Sequence, residues 1–473
     1  MQDILTLLHS NLPSGLRNTT YLVGGYIRDR IMGYIPDDID LVVEGQAREA
    51  AHLVASILSG SVIELDPSRS IYRVVLNGRH IDLEGAGTGN LMGNLEKRDF
   101  TINALVLPLS DSLNTNWQKC ILDPYDGLGD IRSQIVRAVS RTAMEDDPLR
   151  CLRAFRIAGK LGFTIEPGTL AQIRQSAHLI KRCAGERIWE ELAEILSLEK
   201  ASSLLRLMDS ETALFESIFP EIIPLKGLQQ GGFHQEDAWV HSLNTLECVE
   251  SLIIDPPMAP QTFAYLQEKL AGSRTRLTVF KLAALLHDIG KPNCQVQKSP
   301  GRFSFHGHDQ VGGQIVSPIA HRLKMSNREA DLLKVLVKEH MAPLTLYTSS
   351  PTARALRRLF LRLGQDTVGV LLLSLADYMA TRNESNEAIE AYRDYVSGVL
   401  STFITRGDEY TKRAALLNGY EIAEILDTKP SPIIGQAIEA LADAEFDGII
   451  ATKEQAIVFL LHWAANLDDS YQG

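Results

Sequence analysis

The chain has 473 residues, 45% of them hydrophobic and 22% charged, which is an ordinary globular composition and length enough for about three or four domains. Its formal net charge of −12 argues against indiscriminate RNA binding, because affinity grows with the number of phosphates that basic side chains neutralise. No apolar run approaches the ~20 residues of a membrane span, no signal peptide is evident and the cysteines are scattered, so we expect a reduced, cytoplasmic protein without membrane contact.

The first polar turn follows a short apolar strand predicted over residues 21–23. Gly24 and Gly25 allow the backbone to turn sharply and to approach a ligand closely. Arg28 then lies one turn into a predicted helix, near its positive end, where phosphate binds favourably. A Gly-Gly pair alone is usually only a turn, so the prediction of a phosphate site depends on the residues that follow.

Asp38 and Asp40 stand two residues apart in the next β-branched run, which places both carboxylates on one face of a strand. Such carboxylates repel each other unless a cation lies between them, and Mg²⁺ is commonly held by one or two carboxylates together with substrate phosphates. An Asp-x-Asp pair alone is more often a solvated strand end. With the preceding turn it predicts a two-metal site for phosphoryl or nucleotidyl transfer.

In this order the segment resembles the nucleotidyltransferase superfamily of polymerase-β-like enzymes. More narrowly, it resembles the class II tRNA nucleotidyltransferases (CCA-adding enzymes) and the bacterial poly(A) polymerases. The resemblance implies that Asp38 and Asp40 hold Mg²⁺ and that Gly24, Gly25 and Arg28 bind the nucleotide. It also implies a third carboxylate on a neighbouring strand.

That third carboxylate is expected at Asp82. The pattern predicts a helix over 47–60 that ends at Gly60, strands over 61–65 and 72–76, and a hairpin turn at 77–78. The next strand carries Asp82 and Glu84 on one face, and Asp82 matches the position in the resembling family best.

A glycine-rich loop over residues 85–97 separates this strand from the next motif, and no Gly-Lys-Ser/Thr follows it as in a Walker loop. In the resembling family a mobile loop here helps to switch the enzyme from cytidine to adenosine. Only fifteen residues separate Asp82 from Arg98. Family members that add only the two cytidines are shortened in this region, so the loop raises the alternative of CC addition alone.

Residues 96–105 closely resemble the family motif Arg-Asp-Phe-Thr-Ile-Asn-Ala. By that resemblance Arg98 contacts the nucleotide phosphates, whereas Asp99 and Asn103 shape the sugar site by hydrogen bonding. A capped helix, with Asp99 or Thr101 as the cap, is a structural explanation of the same residues and is compatible with that role.

A predicted helix that begins near Pro148 is the second main element. Asp147, Arg150, Arg153 and Arg156 recur every three residues and form one polar stripe, which is typical of a salt-bridged surface helix with Asp147 paired to Arg150. Side by side, such groups also match the edges of a nucleobase. In the resembling family this helix selects cytosine or adenine, which implies that Asp147 and Arg150 read the base while Arg153 and Arg156 help to hold it and the triphosphate.

Residues 185–196 resemble the neck helix of the same family, with an apolar face at Ile188, Leu192, Ile195 and Leu196, and we interpret it as structural. These boundaries predict a nucleotidyltransferase head over 1–135 and a helical neck over 136–225.

A second site is predicted in the helical region that follows. Its histidines and aspartates resemble the HD-type metal phosphohydrolases, and four of them match the metal ligands of that family: His241, His287, Asp288 and Asp377. His308 and His340 extend the set toward a second metal, with His306 as a competitor for His308. Imidazole and carboxylate together suit a transition metal such as Ni, Mn, Fe or Co, which would supply hydroxide for attack on a phosphate.

The structural alternatives for this site are that a lone buried histidine is a satisfied core residue and that the Gly-Lys-Pro at 290–292 is simply a helix stop. The HD domain is expected over 226–385 and a motif-poor helical tail over 386–473. An arginine stripe at Arg354, Arg357, Arg358 and Arg362 favours a solvated helix face over an RNA contact.

Together these expectations define the fold as an α/β nucleotidyltransferase (polymerase-β-like) head followed by an all-α neck, an HD domain and a helical tail. The expected function is addition of C and/or A to tRNA 3′ ends from CTP and ATP without a nucleic-acid template. The alternatives are a poly(A) polymerase, an HD phosphohydrolase with a nucleotide-sensing head, and a non-catalytic tRNA-binding factor. The oligomeric state is not predicted.

Overall fold

The structure is a computed structural model that describes residues 2–36, 38–76, 78–86, 90–231, 236–254, 260–349, 351–381, 385–411, 416–429 and 431–470. It divides into two compact units, Met1–Pro220 and Glu221–Gly473. Part of the predicted loop 85–97 and of the turn at 77–78 lies outside the described residues.

The first unit is built on one mixed sheet whose strand order is β3-β4-β5-β2-β1-β6. Its strands are β1 (Thr20–Val23), β2 (Ile39–Val43), β3 (Ser61–Asp66), β4 (Ile71–Leu76), β5 (Arg79–Gly85) and β6 (Val106–Pro108). The β2–β5 pair is parallel and the other four pairs are antiparallel. The predicted strands before Asp82 are confirmed.

Helices surround this sheet: α1 (Gln2–Asn11), α2 (Ser14–Asn18), α3 (Gly25–Ile31), α4 (Ala47–Leu58), α5 (Asn90–Glu96) and α6 (Gly127–Ser133). Helix α4 buries Ala50, Ala51 and Val54 at helical spacing. The prediction that α4 is capped by Gly60 is wrong by one residue, because Ser59 adopts the left-handed conformation at φ 54°. Gly60 instead allows a close approach, since a Cβ there would lie 2.7 Å from the carbonyl oxygen of Val75.

The rest of the first unit is helical except for a two-stranded parallel ladder, β7 (Ile135–Val136) with β8 (Thr164–Ile165). Its helices are α7 (Ala143–Asp146), α8 (Arg150–Leu161), α9 (Pro167–Ser176), α10 (Gly185–Ser197), α11 (Ala201–Glu211) and α12 (Leu214–Ile218). The predicted apolar face of α10 is confirmed, since Ile188, Leu192, Ile195 and Leu196 are buried. Phe155 and Leu152 of α8 are buried as well.

The second unit is a helical assembly: α13 (Ala238–Ile254), α14 (Pro260–Gln267), α15 (Arg276–Leu286), α16 (Lys291–Cys294), α17 (His308–Arg322), α18 (Asn327–Glu339), α19 (Ala342–Thr348), α20 (Ala353–Leu363), α21 (Thr367–Ala380), α22 (Asn386–Thr411), α23 (Gly419–Ile425), α24 (Pro432–Phe446) and α25 (Lys453–Ser470). Two short hairpins interrupt the predicted all-helical pattern. They pair β9 (Lys269–Ala271) with β10 (Arg274–Thr275), and β11 (Val296–Ser299) with β12 (Arg302–Ser304).

The longest apolar segment of the second unit is buried, and the tail has a separate hydrophobic core. Residues 353–380 are long and apolar enough to cross a membrane by length and composition, but 72% of the relevant window is buried inside the protein, as in the core helix of a globular domain. The tail has a core of its own, formed by Leu417, Ile422, Leu441 and Leu460 with their neighbours from α23 to α25.

One member of the arginine stripe on α20 departs from the expected solvated face: Arg357 is buried, whereas the other three side chains are 42–67% exposed. Arg357 is 3% exposed and donates to Asp443 of α24 at 2.9 Å, while Arg358 donates to the other oxygen of Asp443 at 2.6 Å. Arg354 pairs with Asp447. The stripe therefore holds the C-terminal helices against α20, a partnership that the local sequence pattern cannot reveal.

Candidate active site

Three carboxylates converge where the parallel strands β2 and β5 lie side by side. Asp40 and Asp82 are direct cross-strand partners in the register, and Asp38 stands just before the first residue of β2. Asp40 is half-buried, whereas the side chain of Asp38 is 64% exposed and lies 3.6 Å from Nε2 of His80. The predicted grouping of Asp38, Asp40 and Asp82 is therefore present in the structure.

The charges around Asp40 are those of a cation site. Burial raises the pKa of Asp40, Arg98 opposes this, and the carboxylates of Asp82 and Asp38 raise the pKa further. A hard divalent cation relieves this repulsion and prefers carboxylate oxygen. The donor set thus fits a metal of that kind, with Asp40 at its centre.

Arg73 of β4 restrains the third carboxylate and was not predicted as a site residue. Its Nε and Nη2 bind the two oxygens of Asp82 at 2.7 and 2.8 Å. A bidentate arginine fixes the orientation of a carboxylate but also occupies its oxygens. We therefore regard Asp82 as a weaker candidate ligand than Asp38 and Asp40.

A cavity of about 260 Å³ joins these carboxylates to the candidate nucleotide-binding residues. Asp40 and Asp82 form one wall, and the other wall contains Arg98, Asp99, Arg150 and Arg153. Among the described residues, the buried Nε of Arg98 has no hydrogen-bond partner. A buried, unsatisfied guanidinium donor next to a carboxylate cluster suits an anionic ligand such as a nucleotide phosphate.

The predicted glycine turn lies close to this cavity. Gly24 has a φ of 75°, and a Cβ there would lie 3.0 Å from both Asp40 Oδ2 and Arg98 Nη1. Gly25 begins α3, and a Cβ there would lie 3.1 Å from Arg28 Nη2. Arg28 itself is buried, donating to Asp29 at 2.8 Å and to Asn103 at 2.5 Å.

The motif around Asp99 forms a single 3-10 turn over Thr101–Asn103 instead of a longer capped helix. Asp99 accepts hydrogen bonds from the backbone N–H of Phe100 and from Asn103 Nδ2. Burial raises the pKa of Asp99, but Arg153 and these donors outweigh it and lower the pKa. Asp99 is therefore a buried, ionised anchor on the cavity wall.

The expected pair between Asp147 and Arg150 is not formed. Asp147 accepts from the backbone N–H of Leu149 at 3.2 Å, just before α8 begins, and pairs with Arg187 of α10 at 3.1 Å. Arg150 donates instead to the carbonyl oxygens of Ala143 and Lys97. Both side chains are thus held by partners that are far away in sequence or outside their own helix.

Glu191 of α10 connects the polar stripe of α8 to the cavity and was missed by the sequence analysis. Its carboxylate accepts from Arg153 Nε at 3.2 Å and from Arg156 Nε at 2.6 Å. Arg153 also reaches Asp99 at 3.3 Å. A sequence signal exists, because Glu191 lies next to Leu192 on the apolar face of α10, where a carboxylate needs a cationic partner.

The second candidate site gathers all six of its predicted residues in the second unit. His287 and Asp288 are adjacent after α15, and the other four come from separate parts of the bundle. The groups overlap as His241-His287-Asp288, His287-His340-Asp377 and Asp288-His308-His340. His241 Nε2 lies 2.8 Å from Asp377 Oδ1, and His308 Nε2 lies 3.2 Å from both Asp288 Oδ1 and His340 Nε2. His306, the competitor of His308, is outside these groups and exposed.

Three of these imidazoles are oriented by the backbone. The Nδ1 atoms of His287, His308 and His340 contact the carbonyl oxygens of Ala284, Phe305 and Val337 at 2.7–2.9 Å. An Nδ1–H that donates to a carbonyl leaves the Nε2 lone pair directed at the cluster, which is how metal-binding imidazoles are held. These contacts make the ring nitrogens fit a transition metal.

The pKa values of two of these histidines are shifted in opposite directions. Burial lowers the pKa of His287, but Asp288 and Asp377 outweigh it and raise the pKa to about 10. Burial together with the charges of His287 and His308 lowers the pKa of His340 to about 4. The carboxylates that favour a proton on His287 would favour a divalent cation in its place, and the ring nitrogens would supply lone pairs to that cation.

The residues that follow Asp288 are part of this site and not merely a helix stop. Lys291 is buried, and its ammonium lies 2.6 Å from Asp288 Oδ2 and 2.5 Å from Gln230 Oε1. Gly290 is required for packing, because a Cβ there would lie 2.1 Å from the carbonyl oxygen of His308. The turn therefore fixes Lys291 and His308 on either side of Asp288.

Three protein-family models match separate parts of the chain. The "Poly A polymerase head domain" matches residues 20–137, the "Probable RNA and SrmB- binding site of polymerase A" matches 162–225, and the "HD domain" matches 239–382. The first contains the carboxylate cluster and the last contains the His/Asp cluster.

Curated relatives match over nearly their whole length. The chain is 31% identical to the CC-adding tRNA nucleotidyltransferase of Thermus thermophilus, over 99% of each chain. It is also 31% identical to the A-adding tRNA nucleotidyltransferase of Deinococcus radiodurans, over 94% of this chain and 95% of the relative. One relative is named for adding cytidines and the other for adding adenosine, and their sequence identities to this chain are the same.

Solved structures share the fold at lower sequence identity. The CCA-adding enzyme of Thermotoga maritima in complex with tRNA superposes with a TM-score of 0.60 at 19% identity, covering 98% of each chain. A complex of a CCA-adding enzyme with CTP gives a TM-score of 0.62, again at 19% identity, and covers 98% of this chain and 97% of that chain.

Proposed function

This chain belongs to the tRNA nucleotidyltransferase family, and from that premise we propose that it adds the two cytidines of the CCA end to tRNA 3′ ends without a nucleic-acid template. Asp38 and Asp40 are its catalytic carboxylates, with Asp82 in support. The observation that carries this assignment is the register of Asp40 and Asp82 in one cavity with Arg98 and Arg150.

The reaction joins the 3′-oxygen of tRNA to the α-phosphorus of CTP, breaks the bond to the bridging oxygen, and releases pyrophosphate. Magnesium ions bound at Asp38 and Asp40 would lower the pKa of the hydroxyl and offset the charge of the leaving group. Arg98 holds the triphosphate, because it lines the cavity next to Asp40. Gly24 keeps that space open by lacking a side chain.

Residues farther from the carboxylates position the nucleotide. Gly25 and Arg28 support the phosphate side, while Asp99 and Asn103 shape the sugar site. Base choice belongs to Asp147 and Arg150, and Arg153 and Arg156 keep their helix in place through Glu191. Replacement of Asp147 by alanine is expected to relax the preference for CTP over UTP more than it slows incorporation.

CC addition is favoured over full CCA addition by the short segment between Asp82 and Arg98 and by the relatives. The chain matches CC-adding enzymes of Thermus thermophilus, Synechocystis and Geobacter sulfurreducens over 93% or more of its length. The similarity to the Deinococcus A-adding enzyme supports a second candidate, addition of the terminal adenosine alone.

Extension of three tRNA transcripts tests these alternatives. The transcripts end before CCA, after C, and after CC, and each receives Mg²⁺ with CTP, with ATP, or with both. A stop after CC is the expected result. Complete CCA ends, adenosine added only to the CC-ended transcript, or long adenosine tails would establish full CCA addition, A addition or a poly(A) polymerase instead.

The Asp38→Ala and Asp40→Ala proteins test the catalytic assignment. A metal that supplies several kcal/mol of transition-state stabilisation corresponds to a loss on the order of 10³-fold in turnover. Circular dichroism should show that both proteins remain folded. Near-normal turnover in either variant would refute the assignment.

A second activity, metal-dependent phosphohydrolysis at the HD site, is supported by the three backbone-anchored imidazoles that face Asp288 and Asp377. His241, His287, Asp288 and Asp377 would hold a transition metal such as Ni, Mn, Fe or Co, and His308 and His340 would extend the site. Metal analysis of the purified chain, together with hydrolysis of p-nitrophenyl phosphate, tests it. Absence of bound metal after loading would refute it.

The cellular setting follows from the same premise. We propose a cytoplasmic location, where tRNA, CTP and ATP are present, and the five cysteines are free as expected for a reducing compartment.

A further inference from the structure

A large cavity opens beside the His/Asp cluster of the second unit. It has a volume of about 1010 Å³ and includes Asp288, His308 and Asp377 in its lining. Pockets for single small molecules span roughly 300–1,000 Å³, so this space lies at the upper end of that range and is much larger than one phosphate. The chain therefore provides more room than phosphate hydrolysis alone requires.

Basic side chains surround the opening of this cavity. Lys291 lies at the cluster, and Lys298 and Arg302 of the β11–β12 hairpin line the cavity farther out. Both hairpin residues are exposed, and among the described residues neither has an ion-pair partner. Apart from the candidate metal ligands, Asp309 is the one acidic residue in the described lining. Positive charge is therefore concentrated on the hairpin side of the cavity, at Lys298 and Arg302, away from the carboxylates of the cluster.

The hairpin is anchored and not a free loop. Val296 pairs with Ser304 within it, and Arg302 forms an antiparallel bridge with Gly231. Gly231 has a φ of 72°, and a Cβ there would lie 2.5 Å from the carbonyl oxygen of Gly301. Glycine is therefore needed at this position for the hairpin to approach so closely.

The same short segment also holds the inner lysine. Gln230, which is 4% exposed, accepts from Lys291 through Oε1 at 2.5 Å, and the next residue is the Gly231 that bridges to Arg302. Lys291 at the cluster and Arg302 on the hairpin are thus fixed by consecutive residues of one segment. This segment thus ties the backbone of the hairpin to the inner lysine.

Aromatic rings follow Arg302 in the chain and line the same cavity. Phe303 and Phe305 line the cavity and are half-buried, and the ammonium of Lys291 lies 5.7 Å from the centroid of Phe305. Nucleobases stack on aromatic side chains in a way that tolerates any base, and single-stranded nucleic acids are bound by combining such rings with basic groups.

We propose that this cavity binds the end of an RNA strand and not only a single nucleotide. The terminal phosphate lies at the His/Asp cluster beside Lys291, the preceding phosphate contacts Arg302 and Lys298, and a base stacks on Phe303 or Phe305. This inference rests on the proposed hydrolase site for the terminal phosphate, whereas the hairpin contacts do not require a metal.

Binding of a trinucleotide that ends in a 3′-phosphate tests the proposal in EDTA. Fluorescence anisotropy of the labelled probe gives the affinity, and 4-thiouridine at the middle position allows photocrosslinks to be mapped by mass spectrometry. We expect crosslinks within residues 296–309 and at least a fivefold weaker affinity in Arg302→Ala. Loss of one phosphate contact should lower the salt slope of log K by about 0.7.

Lys334→Ala is the matched control. Lys334 is exposed on α18 and does not line the cavity, so its replacement removes one positive charge without touching the proposed site. If its affinity falls as much as that of Arg302→Ala, only the net charge matters and the proposal is wrong. The double variant Lys298→Ala/Arg302→Ala guards against compensation by the second cation. Circular dichroism checks that these surface substitutions leave the fold intact.

Three further outcomes distinguish failure of the strand-binding proposal from failure of the hydrolase proposal. If a nucleoside 3′-monophosphate binds as tightly as the trinucleotide, or if all crosslinks map to residues 1–220, strand binding is overturned. If the trinucleotide depends on Arg302 but no metal binds after loading, the hydrolase proposal fails and the strand site stands. If metal binds and Arg302→Ala has unchanged trinucleotide affinity, the strand site fails alone.

Discussion

At the scale of single residues, Asp40 shows how a catalytic group is held at a cost in stability. Desolvation raises the pKa of its half-buried carboxylate, and the negative charges of Asp82 and Asp38 raise it further. For an acid whose pKa is raised on folding, the stabilising contribution is complete below the pKa of the unfolded chain and is lost as the pH rises through the pKa of the folded chain. At neutral pH and without a cation, Asp40 therefore disfavours folding.

We predict that Asp40→Asn increases the thermal stability of the first unit at neutral pH in EDTA, because the amide has a similar shape and no charge. The gain should shrink as the pH is lowered toward the acidic range, where the wild-type carboxyl is protonated. Mg²⁺ should raise the melting temperature of the wild type only. Scanning calorimetry measures these differences, and a variant less stable than the wild type in EDTA would contradict this account.

At the scale of elements, two helix pairs are held by carboxylates that each bind two arginines. Glu191 of α10 holds Arg153 and Arg156 of α8, and Asp443 of α24 holds Arg357 and Arg358 of α20. The first pair orients a candidate base-reading helix, whereas the second attaches the tail within the second unit. The same motif therefore serves positioning in one place and stability in the other.

Glu191→Gln should disturb catalysis more than folding. The amide retains one acceptor but loses the charge that holds both guanidinium groups, and misplacement of reacting groups by about 1 Å costs on the order of 10²-fold. We expect kcat for cytidine addition to fall by that factor and discrimination against UTP to weaken, with a smaller change in KM for tRNA. Glu190→Gln is the control, because Glu190 is exposed on the same helix. Equal effects of the two variants would contradict a positioning role.

The two ion pairs between α20 and α24 should differ in their contribution to stability. Asp443→Asn leaves the buried Arg357 without its carboxylate, which typically costs about 3–5 kcal/mol. Asp447→Asn removes the partner of Arg354, whose side chain is 42% exposed, and such pairs contribute about 1 kcal/mol or less. Urea denaturation of both variants measures the difference. A similar loss of unfolding free energy in the two proteins would refute the distinction.

At the scale of the whole molecule, one chain carries two donor sets of different chemistry. The first unit presents carboxylate oxygens, and the second presents imidazole nitrogens with carboxylates. Oxygen donors suit Mg²⁺, whereas imidazole favours transition metals. Nucleotide addition and phosphate-ester hydrolysis should therefore require different metal ions.

We predict that chelation followed by dialysis abolishes both nucleotide addition and phosphate-ester hydrolysis. Mg²⁺ alone should restore cytidine addition, while Ni²⁺, Mn²⁺ or Co²⁺ should be needed for hydrolysis of p-nitrophenyl phosphate. The two assays on aliquots of one chelated preparation provide the comparison. Restoration of hydrolysis by Mg²⁺ to the level seen with the transition metals would contradict this prediction.

The sequence predicts residues whose partners are close in the chain or whose spacing is distinctive. Asp38, Asp40 and the run at His287-Asp288 are of this kind. The strand and helix periodicities correctly predict the strands before Asp82, the apolar face of α10 and the helical second half. Residues defined by distant contacts could not be predicted. Arg73 reaches Asp82 across strands, Arg187 replaces Arg150 as the partner of Asp147, and Gln230 meets Lys291 after a separation of 61 positions. Local sequence patterns predict which face of a helix or strand is buried, but the tertiary fold determines which charged side chains come into contact.

The line of side chains from Glu191 through Arg153, Asp99 and Asn103 to Arg28 restricts how this protein can evolve. Each inner member satisfies two neighbours, so a single replacement leaves a buried polar group without its partner, and effects along the line should be strongly non-additive. Inherited changes at these positions should therefore arise in compensating pairs. A helix α8 transplanted from a relative with another nucleotide preference should work only if residues 99 and 191 are exchanged with it.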